Sequence, residues 1–146
     1  MNTFKKIIFL SLFALLYLGC SSDSDIETPM APQAYIAQNV SYGADDHQVF
    51  DIYLPKNRTM KTKVVILIHG GSWITGDKSE MELISGLLSA SHPDVGIVNM
   101  NYTLADAENP PFPMQIDDVS AVVDYISSNK STLIMSDNIG FIGLSA

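Results

Sequence analysis

The sequence predicts an α/β fold in which helices flank a mostly parallel sheet, and three observations indicate it. Two short apolar runs, 63–68 and 95–100, are rich in β-branched residues and lack alternation, as is typical of strands covered on both faces. Two longer segments, 79–90 and 114–129, repeat apolar residues at helical spacing. Because these strands and helices alternate along the chain, they predict βαβ units and therefore parallel strands.

Composition favours one globular domain and excludes several classes of function. The chain has 146 residues, of which 47% are hydrophobic and 16% charged, as in a single packed domain. The formal charge is −8, and no cluster of Lys and Arg lies outside the N-terminus. A nucleic-acid partner is therefore not expected, since phosphate backbones are held by such clusters. The single cysteine, Cys20, excludes an internal disulfide and a multi-thiolate metal site.

The N-terminus has the layout of an export signal. Two lysines precede an apolar run, 7–18, which is shorter than the about 20 residues that a membrane-spanning helix needs. The run ends at Gly-Cys20, which resembles the bacterial lipobox, although Tyr17 stands where that pattern usually has leucine. The resemblance implies a signal peptide over 1–19, a lipid anchor on Cys20 that tethers the protein to the membrane, and a location at the cell envelope. The alternative is a plain secreted protein.

Residues 20–33 are rich in Ser, Asp, Thr and Pro and lack apolar periodicity, so we expect a flexible tether. The folded part is expected over 34–146. It starts with a weakly strand-like segment, 35–42, and a strand over 47–54 that Pro55 ends. The second strand should alternate between two faces: Phe50, Ile52 and Leu54 on one, and Val49, Asp51 and Tyr53 on the other.

The later elements follow from their apolar patterns. In the helix over 79–90, Ser79 and Glu82 are spaced as a capping box. Its apolar stripe, which should pack on the sheet, comprises Met81, Leu83, Ile84, Leu87 and Leu88. The stripe of the helix over 114–129 comprises Ile116, Val119, Val122, Val123 and Ile126. A last strand over 138–144 should bury Ile139, Phe141 and Ile142.

This last strand runs into Gly143-Leu144-Ser145-Ala146. In a nucleophile elbow the serine occupies a tight turn between strand and helix, and small neighbours let the turn close while the hydroxyl stays exposed. Gly-x-Ser alone is a weak signal, because a chain of this length holds about one by accident. Gly70-Gly71-Ser72 is another instance.

The motifs together resemble the esterase/lipase branch of the α/β-hydrolases, related to hormone-sensitive lipase and the bacterial carboxylesterases. In chain order they are Asp51-Ile52-Tyr53-Leu54-Pro55, His69-Gly70-Gly71-x-Trp73, Asn101-Tyr102-Thr103-Leu104-Ala105 with Pro111-Phe112-Pro113 and Asp117-Asp118, and Gly143-x-Ser145-Ala146. Thr103 departs from the arginine common in the third motif, and Ser72 from the third glycine of some relatives. The resemblance implies an α/β-hydrolase fold, of which this chain would hold the N-terminal part, truncated after the nucleophile strand.

The resemblance also implies hydrolysis of a carboxylic ester by acyl transfer. Ser145 would be the nucleophile, and the backbone amides of Gly70, Gly71 and Ala146 would form the oxyanion hole, because glycines leave such amides open to a substrate oxygen. The glycine pair could also be an ordinary turn after a strand. Neither a metal nor an organic cofactor is implied. The expected substrate is a small-molecule or polysaccharide-linked ester.

No general base is expected among the histidines. His69 should support the oxyanion loop together with Trp73, and His47 and His92 lie at ordinary surface positions. In this fold the acid and the base follow the serine, so we expect the chain alone to be inactive. Trp73 and Tyr102 could line a cleft or belong to the core.

Two carboxylates and two other functions remain open. Asp117 and Asp118 should favour the start of their helix, and the resemblance adds a local structural contact. The alternatives to an esterase are a serine peptidase or amidase of the same fold, and a binding protein that has lost catalysis.

Overall fold

A computed structural model describes residues 31–145, which form a five-stranded sheet with a helix on each face. The strands are β1 (Tyr35–Ser41), β2 (Val49–Leu54), β3 (Val64–Ile68), β4 (Gly96–Met100) and β5 (Ile139–Gly143). The helices are α1 (Glu82–Ser91), which a 3-10 turn (Lys78–Met81) precedes, and α2 (Met114–Leu133). The proposed signal peptide, Cys20, most of the tether and Ala146 lie outside the described residues. Within 31–145, neither helix has the length and apolarity to cross a bilayer.

The sheet is mixed, with the order β1-β2-β4-β3-β5. The strand β3 runs parallel to both β4 and β5, as the predicted βαβ units require. The strands β1 and β2 are antiparallel to each other, and β2 is antiparallel to β4. No helix connects the neighbours β1 and β2, which suits an antiparallel pair because parallel neighbours need a crossover. The two predicted catalytic motifs follow β3 and β5, which belong to the parallel part of the sheet.

The core has two layers, one on each face of the sheet. The helix α2 packs Val122 and Ile126 over one face, where the predicted row of β2 lies fully buried: Phe50, Ile52 and Leu54. The helix α1 packs Ile84 and Leu88 over the other face, against Leu67, Met81 and Ile97. The alternation predicted for β2 is thus confirmed.

Several local expectations were wrong. Ser79 does not cap α1; instead Asp77 caps the 3-10 turn, its carboxylate accepting from the Ser79 N–H at 2.8 Å. Leu83 and Leu87 are 74% and 61% exposed, because α1 contacts the sheet only along the narrower line of Ile84 and Leu88.

The ends of the second βαβ unit also differ from expectation. The helix α2 runs to Leu133, beyond its predicted end, and Ile116 in its first turn is half exposed. Phe141 was expected to be buried but is 53% exposed, because within residues 31–145 β5 pairs with β3 alone and forms an edge of the sheet.

Candidate active site

Two predicted motifs meet at one end of the sheet because β3 and β5 are parallel neighbours. Ile68 is the register partner of Gly143, so the residues that follow each strand emerge side by side. The Leu144 N–H donates to the Ile68 carbonyl at 3.0 Å and extends this pairing past β5. A Cβ on Gly70 would lie 2.3 Å from the Leu144 carbonyl oxygen and 3.1 Å from the Ser145 Cβ. Gly70 and Ser145 are therefore in direct proximity.

Ser145 has the backbone conformation of a strained turn. Its φ is 57°, in the left-handed region that serine seldom adopts, and the residue is exposed. A nucleophile elbow combines these features at the end of a strand. The catalytic role of Ser145 stays a prediction, and so does that of the Ala146 amide, since Ala146 is not among the described residues.

Residues 69–77, here called the glycine loop, fold back tightly on themselves. Gly71, Ser72 and Trp73 have φ values of 114°, 54° and 66°, three consecutive left-handed residues. A Cβ on Gly71 would lie 2.0 Å from the Thr75 carbonyl oxygen, so only glycine fits there. The adjacent Ser72 adopts the conformation that a third glycine would adopt without strain.

The His69 ring is buried beneath the glycine loop. It is 2% exposed and stacks on the Tyr102 ring, with centroids 4.1 Å apart and an interplanar angle of 12°. Its Nδ1 lies 2.7 Å from the Gly70 carbonyl, which accepts, so Nδ1 carries the proton. Nε2 is buried with no hydrogen-bond partner in the described part of the chain. This geometry suits a ring that braces the loop and does not exchange protons with Ser145.

Tyr102 supports the glycine loop from below. Its hydroxyl has one proton, which is shared between the carbonyls of His69 and Gly70 at 3.1 and 3.0 Å. Burial raises the pKa of this hydroxyl, with a smaller effect from Glu80, and so keeps the donor protonated. Tyr102 belongs to the core and does not line a cleft, since it is 1% exposed. The Trp73 ring packs on it with ring centroids 5.4 Å apart and is half-buried.

Asp118 fixes the segment that carries Tyr102. The carboxylate is 3% exposed and accepts from the Thr103 N–H at 2.6 Å and from the Gln48 side chain at 2.7 Å. Burial, followed by the charge of Asp118, raises the pKa of the nearby Tyr42 hydroxyl. Asp118 therefore makes a tertiary contact beyond the expected helix-dipole effect, whereas Asp117 is exposed.

We expect Asp118→Ala to lower the free energy of unfolding by about 2–3 kcal/mol, because it strips charged acceptors from two donors in a buried region. Urea unfolding of the full-length protein measures the change. Asp117→Ala is the matched control, and it should cost about 0.5 kcal/mol through the helix dipole alone. Equal losses in the two variants would show that the contacts of Asp118 do not stabilise the fold.

Sequence reasoning missed the polar cluster at the far end of the glycine loop. Lys78 pairs with Asp51 at 2.6 Å, and both side chains are largely buried. Hydrogen bonds from Ser79 and Asn101 lower the pKa of Asp77 to about 2. The available signal was Asp51, a carboxylate between apolar residues of a predicted strand, because such a group needs a partner of opposite charge when it is buried.

The other histidines lie on the surface, as expected. His47 is exposed beside Asp45, at 3.4 Å, and His92 Nδ1 lies 2.9 Å from the Ser91 hydroxyl. A cleft of about 510 Å³ opens at the amino ends of β3 and β5, the opposite end of these strands from Ser145. Across residues 31–145, no group of three His, Cys, Asp or Glu side chains could hold a metal ion.

Known proteins similar to this chain include curated esterases. A family model described as BD-FAE matches residues 50–146. The versiconal hemiacetal acetate esterase of Dothistroma septosporum is 28% identical over 104 residues, which cover 71% of this chain and 31% of that protein. A probable isoprenylcysteine alpha-carbonyl methylesterase of Arabidopsis thaliana is 38% identical over 55 residues, which cover 38% of this chain and 12% of that protein. The chain thus spans less than a third of either relative.

Solved structures extend the comparison to the fold. A truncated carbohydrate esterase from gut microbiota has a TM-score of 0.63 at 27% identity, over 79% of this chain and 42% of that one. An arylesterase has a TM-score of 0.62 at 26% identity, over 79% and 37%. A bifunctional GH43-CE protein of Bacteroides eggerthii has a TM-score of 0.59 at 26% identity, over 75% and 16%. These likenesses confirm the predicted α/β-hydrolase fold.

Proposed function

This chain belongs to the BD-FAE family, and we propose that its protein is a serine carboxylic-ester hydrolase that forms an acyl-enzyme at Ser145. One observation carries the proposal: the strained, exposed Ser145 lies against Gly70, at the start of a loop of unusual backbone conformation. A nucleophile and a set of backbone amides can thus act on one carbonyl group. The esterases among its relatives support an ester as the bond that is cleaved.

In the proposed reaction, the Ser145 hydroxyl attacks the ester carbonyl carbon and gives its proton to a histidine base. The carbonyl oxygen becomes an oxyanion that accepts hydrogen bonds from the amides of Gly70, Gly71 and Ala146. Collapse of this intermediate expels the alkoxide, which takes the proton from the histidine and leaves as the alcohol. Water then attacks the acyl-enzyme by the same route, giving one proton to the histidine, which returns it to Ser145 as the acid leaves. No metal or organic cofactor takes part.

We assign the base and its orienting carboxylate to chain that follows Ser145 in the full-length protein. Within 31–145, Nδ1 of His69 donates to the Gly70 carbonyl, and His47 and His92 are on the surface. The order serine, acid, histidine is the one that this fold uses. Residues 31–145 are therefore proposed to be inactive by themselves.

The proposed substrate is a small-molecule or polysaccharide-linked ester. Names of similar proteins support this range, since they include a hemiacetal acetate esterase, an arylesterase and a carbohydrate esterase. We further propose that a lipid anchor on Cys20 holds the protein at the cell envelope, where such esters are accessible. The signal-like segment before Cys20 is the sequence feature that supports this location.

The proposal is tested by treating the full-length protein with a fluorophosphonate, which reacts with activated serines. We expect one adduct, located by peptide mass spectrometry on the peptide that contains Ser145. p-Nitrophenyl acetate should be hydrolysed, and a peptide p-nitroanilide should not. Faster cleavage of the anilide would favour a peptidase or amidase, and absence of both the adduct and hydrolysis would favour a binding protein.

A further inference from the structure

We propose that the buried ion pair between Lys78 and Asp51 positions the oxyanion-hole amides of the glycine loop. The inference rests on the proposed function and assigns positioning residues that lie outside the nucleophile and oxyanion motifs. The geometry of the glycine loop, which follows β3, would then depend on a side chain of β2. In the sheet, β4 lies between these two strands.

Lys78 is fixed at each of its polar groups. Its ammonium lies 2.6 Å from Asp51 Oδ2, and its backbone N–H donates to Asn101 Oδ1 at 2.5 Å. Its carbonyl accepts from Asn99 Nδ2 at 2.8 Å. The Lys78 side chain is 13% exposed and that of Asp51 is 6% exposed, so little water competes for these bonds. The residue directly after the glycine loop therefore cannot shift without breaking several contacts.

The partners of Lys78 belong to the rigid part of the fold. Asp51 in β2 and Asn99 in β4 are register partners, so their side chains lie next to each other on one face of the sheet. The other Asp51 oxygen accepts from the Asn39 N–H of β1 at 2.8 Å. The carboxylate thus joins two strands to Lys78.

The position of Lys78 is transmitted to the active-site end through two residues. The carboxylate of Asp77 accepts from the Asn101 amide at 2.8 Å. Asn101 therefore binds both Asp77 and the Lys78 backbone N–H. Gly76 packs so closely that a Cβ on it would lie 2.5 Å from both the Gly70 carbonyl oxygen and His69 Nδ1. Since Gly70 itself abuts Ser145, displacement of Gly76 would change the distance between the amides and the nucleophile.

Energetics favour positioning as the role of this pair. Removing two charges from water offsets most of their attraction, and well-packed apolar residues in place of a buried ion pair often leave a protein equally stable. A short contact between fixed partners does restrict where the end of the loop can lie. Small displacements of reacting groups are costly, since about 1 Å can reduce a rate by about 100-fold.

The experiment compares the full-length protein with the double variant Asp51→Leu/Lys78→Met, which replaces the charges with apolar side chains of similar size. We expect Tm to stay within about 5 °C. The kcat for p-nitrophenyl acetate should fall by about 10- to 100-fold while KM changes by less than about threefold. Amide hydrogen exchange of Gly70 and Gly71 should accelerate, which reports loop order independently of turnover.

Two further variants serve as controls for the loss of an ion pair and for misfolding. Lys130→Met removes the exposed ion pair with Asp137 and should leave kcat and exchange unchanged. Asp51→Asn keeps the shape of the carboxylate and an acceptor for Asn39, so it should fold even if the double variant does not. It should lower kcat less than the double variant does, again with little change in KM.

The outcomes separate this inference from the proposed function. If the wild-type protein neither hydrolyses esters nor is labelled at Ser145, both ideas fail. If it does both but the double variant keeps wild-type kcat and exchange rates, only the positioning role fails. A loss of kcat that disappears on assay well below the Tm of the variant would also overturn that role, because it would report unfolding.

Discussion

Ser145→Ala in the full-length protein is expected to lower kcat for ester hydrolysis by about five to six orders of magnitude. Without the hydroxyl no acyl-enzyme can form, and only the oxyanion amides and substrate binding remain to accelerate direct attack by water. Release of p-nitrophenol at high enzyme concentration measures the residual rate. The fluorophosphonate adduct should disappear in the same variant.

Two further serine variants separate chemistry from backbone strain. Ser145→Gly should be as inactive as Ser145→Ala but more stable than it by about 1 kcal/mol, because only glycine adopts a φ of 57° without steric cost. Both variants lack the hydroxyl, so their difference isolates the backbone. Ser120→Ala, which removes an exposed hydroxyl from α2, should retain wild-type kcat. Residual activity above about 1% in Ser145→Ala would indicate a different nucleophile.

The edge of the sheet at which the motifs lie could be predicted from local patterns in the sequence. Alternating buried strands and helices imply parallel neighbours, and the carboxyl ends of parallel strands lie at one edge of the sheet. The proximity of Gly70 to Ser145 also requires β3 and β5 to be neighbours, which the local patterns leave open and the family resemblance implied. The alternation of β2 was equally local, because a period of two residues fixes which side chains share a face.

Other features depended on contacts that sequence spacing does not encode. Lys78 and Asp51 are 27 residues apart and meet only because β2 pairs with β4. Lys78 begins a 3-10 turn that Asp77 caps, whereas the sequence spacing had favoured Ser79 as the cap of a longer helix. The exposure of Leu83 was missed because an apolar stripe predicts which face of a helix is buried but not how wide the contact is.

Gly70→Ala is expected to lower kcat by about 100- to 1000-fold, comparable to the loss of an oxyanion-hole donor. The added Cβ would lie 2.3 Å from the Leu144 carbonyl oxygen, which belongs to the backbone and cannot rotate away. Either the glycine loop or the turn at Ser145 must therefore move, and both carry proposed catalytic groups. The same clash should lower the free energy of unfolding by about 1–3 kcal/mol, measured by urea unfolding.

Gly86→Ala is the matched control, because a Cβ on Gly86 in α1 meets no atom within 4 Å beyond the adjacent backbone of its own helix. It should leave kcat unchanged and raise the free energy of unfolding by about 0.5–1 kcal/mol, since alanine favours a helix interior. Gly70→Ala should affect kcat far more than KM, because the displaced amides bind the oxyanion more strongly than the substrate carbonyl. If Gly70→Ala instead raised KM alone, the loop would be a binding surface, and the oxyanion hole would have to be formed elsewhere.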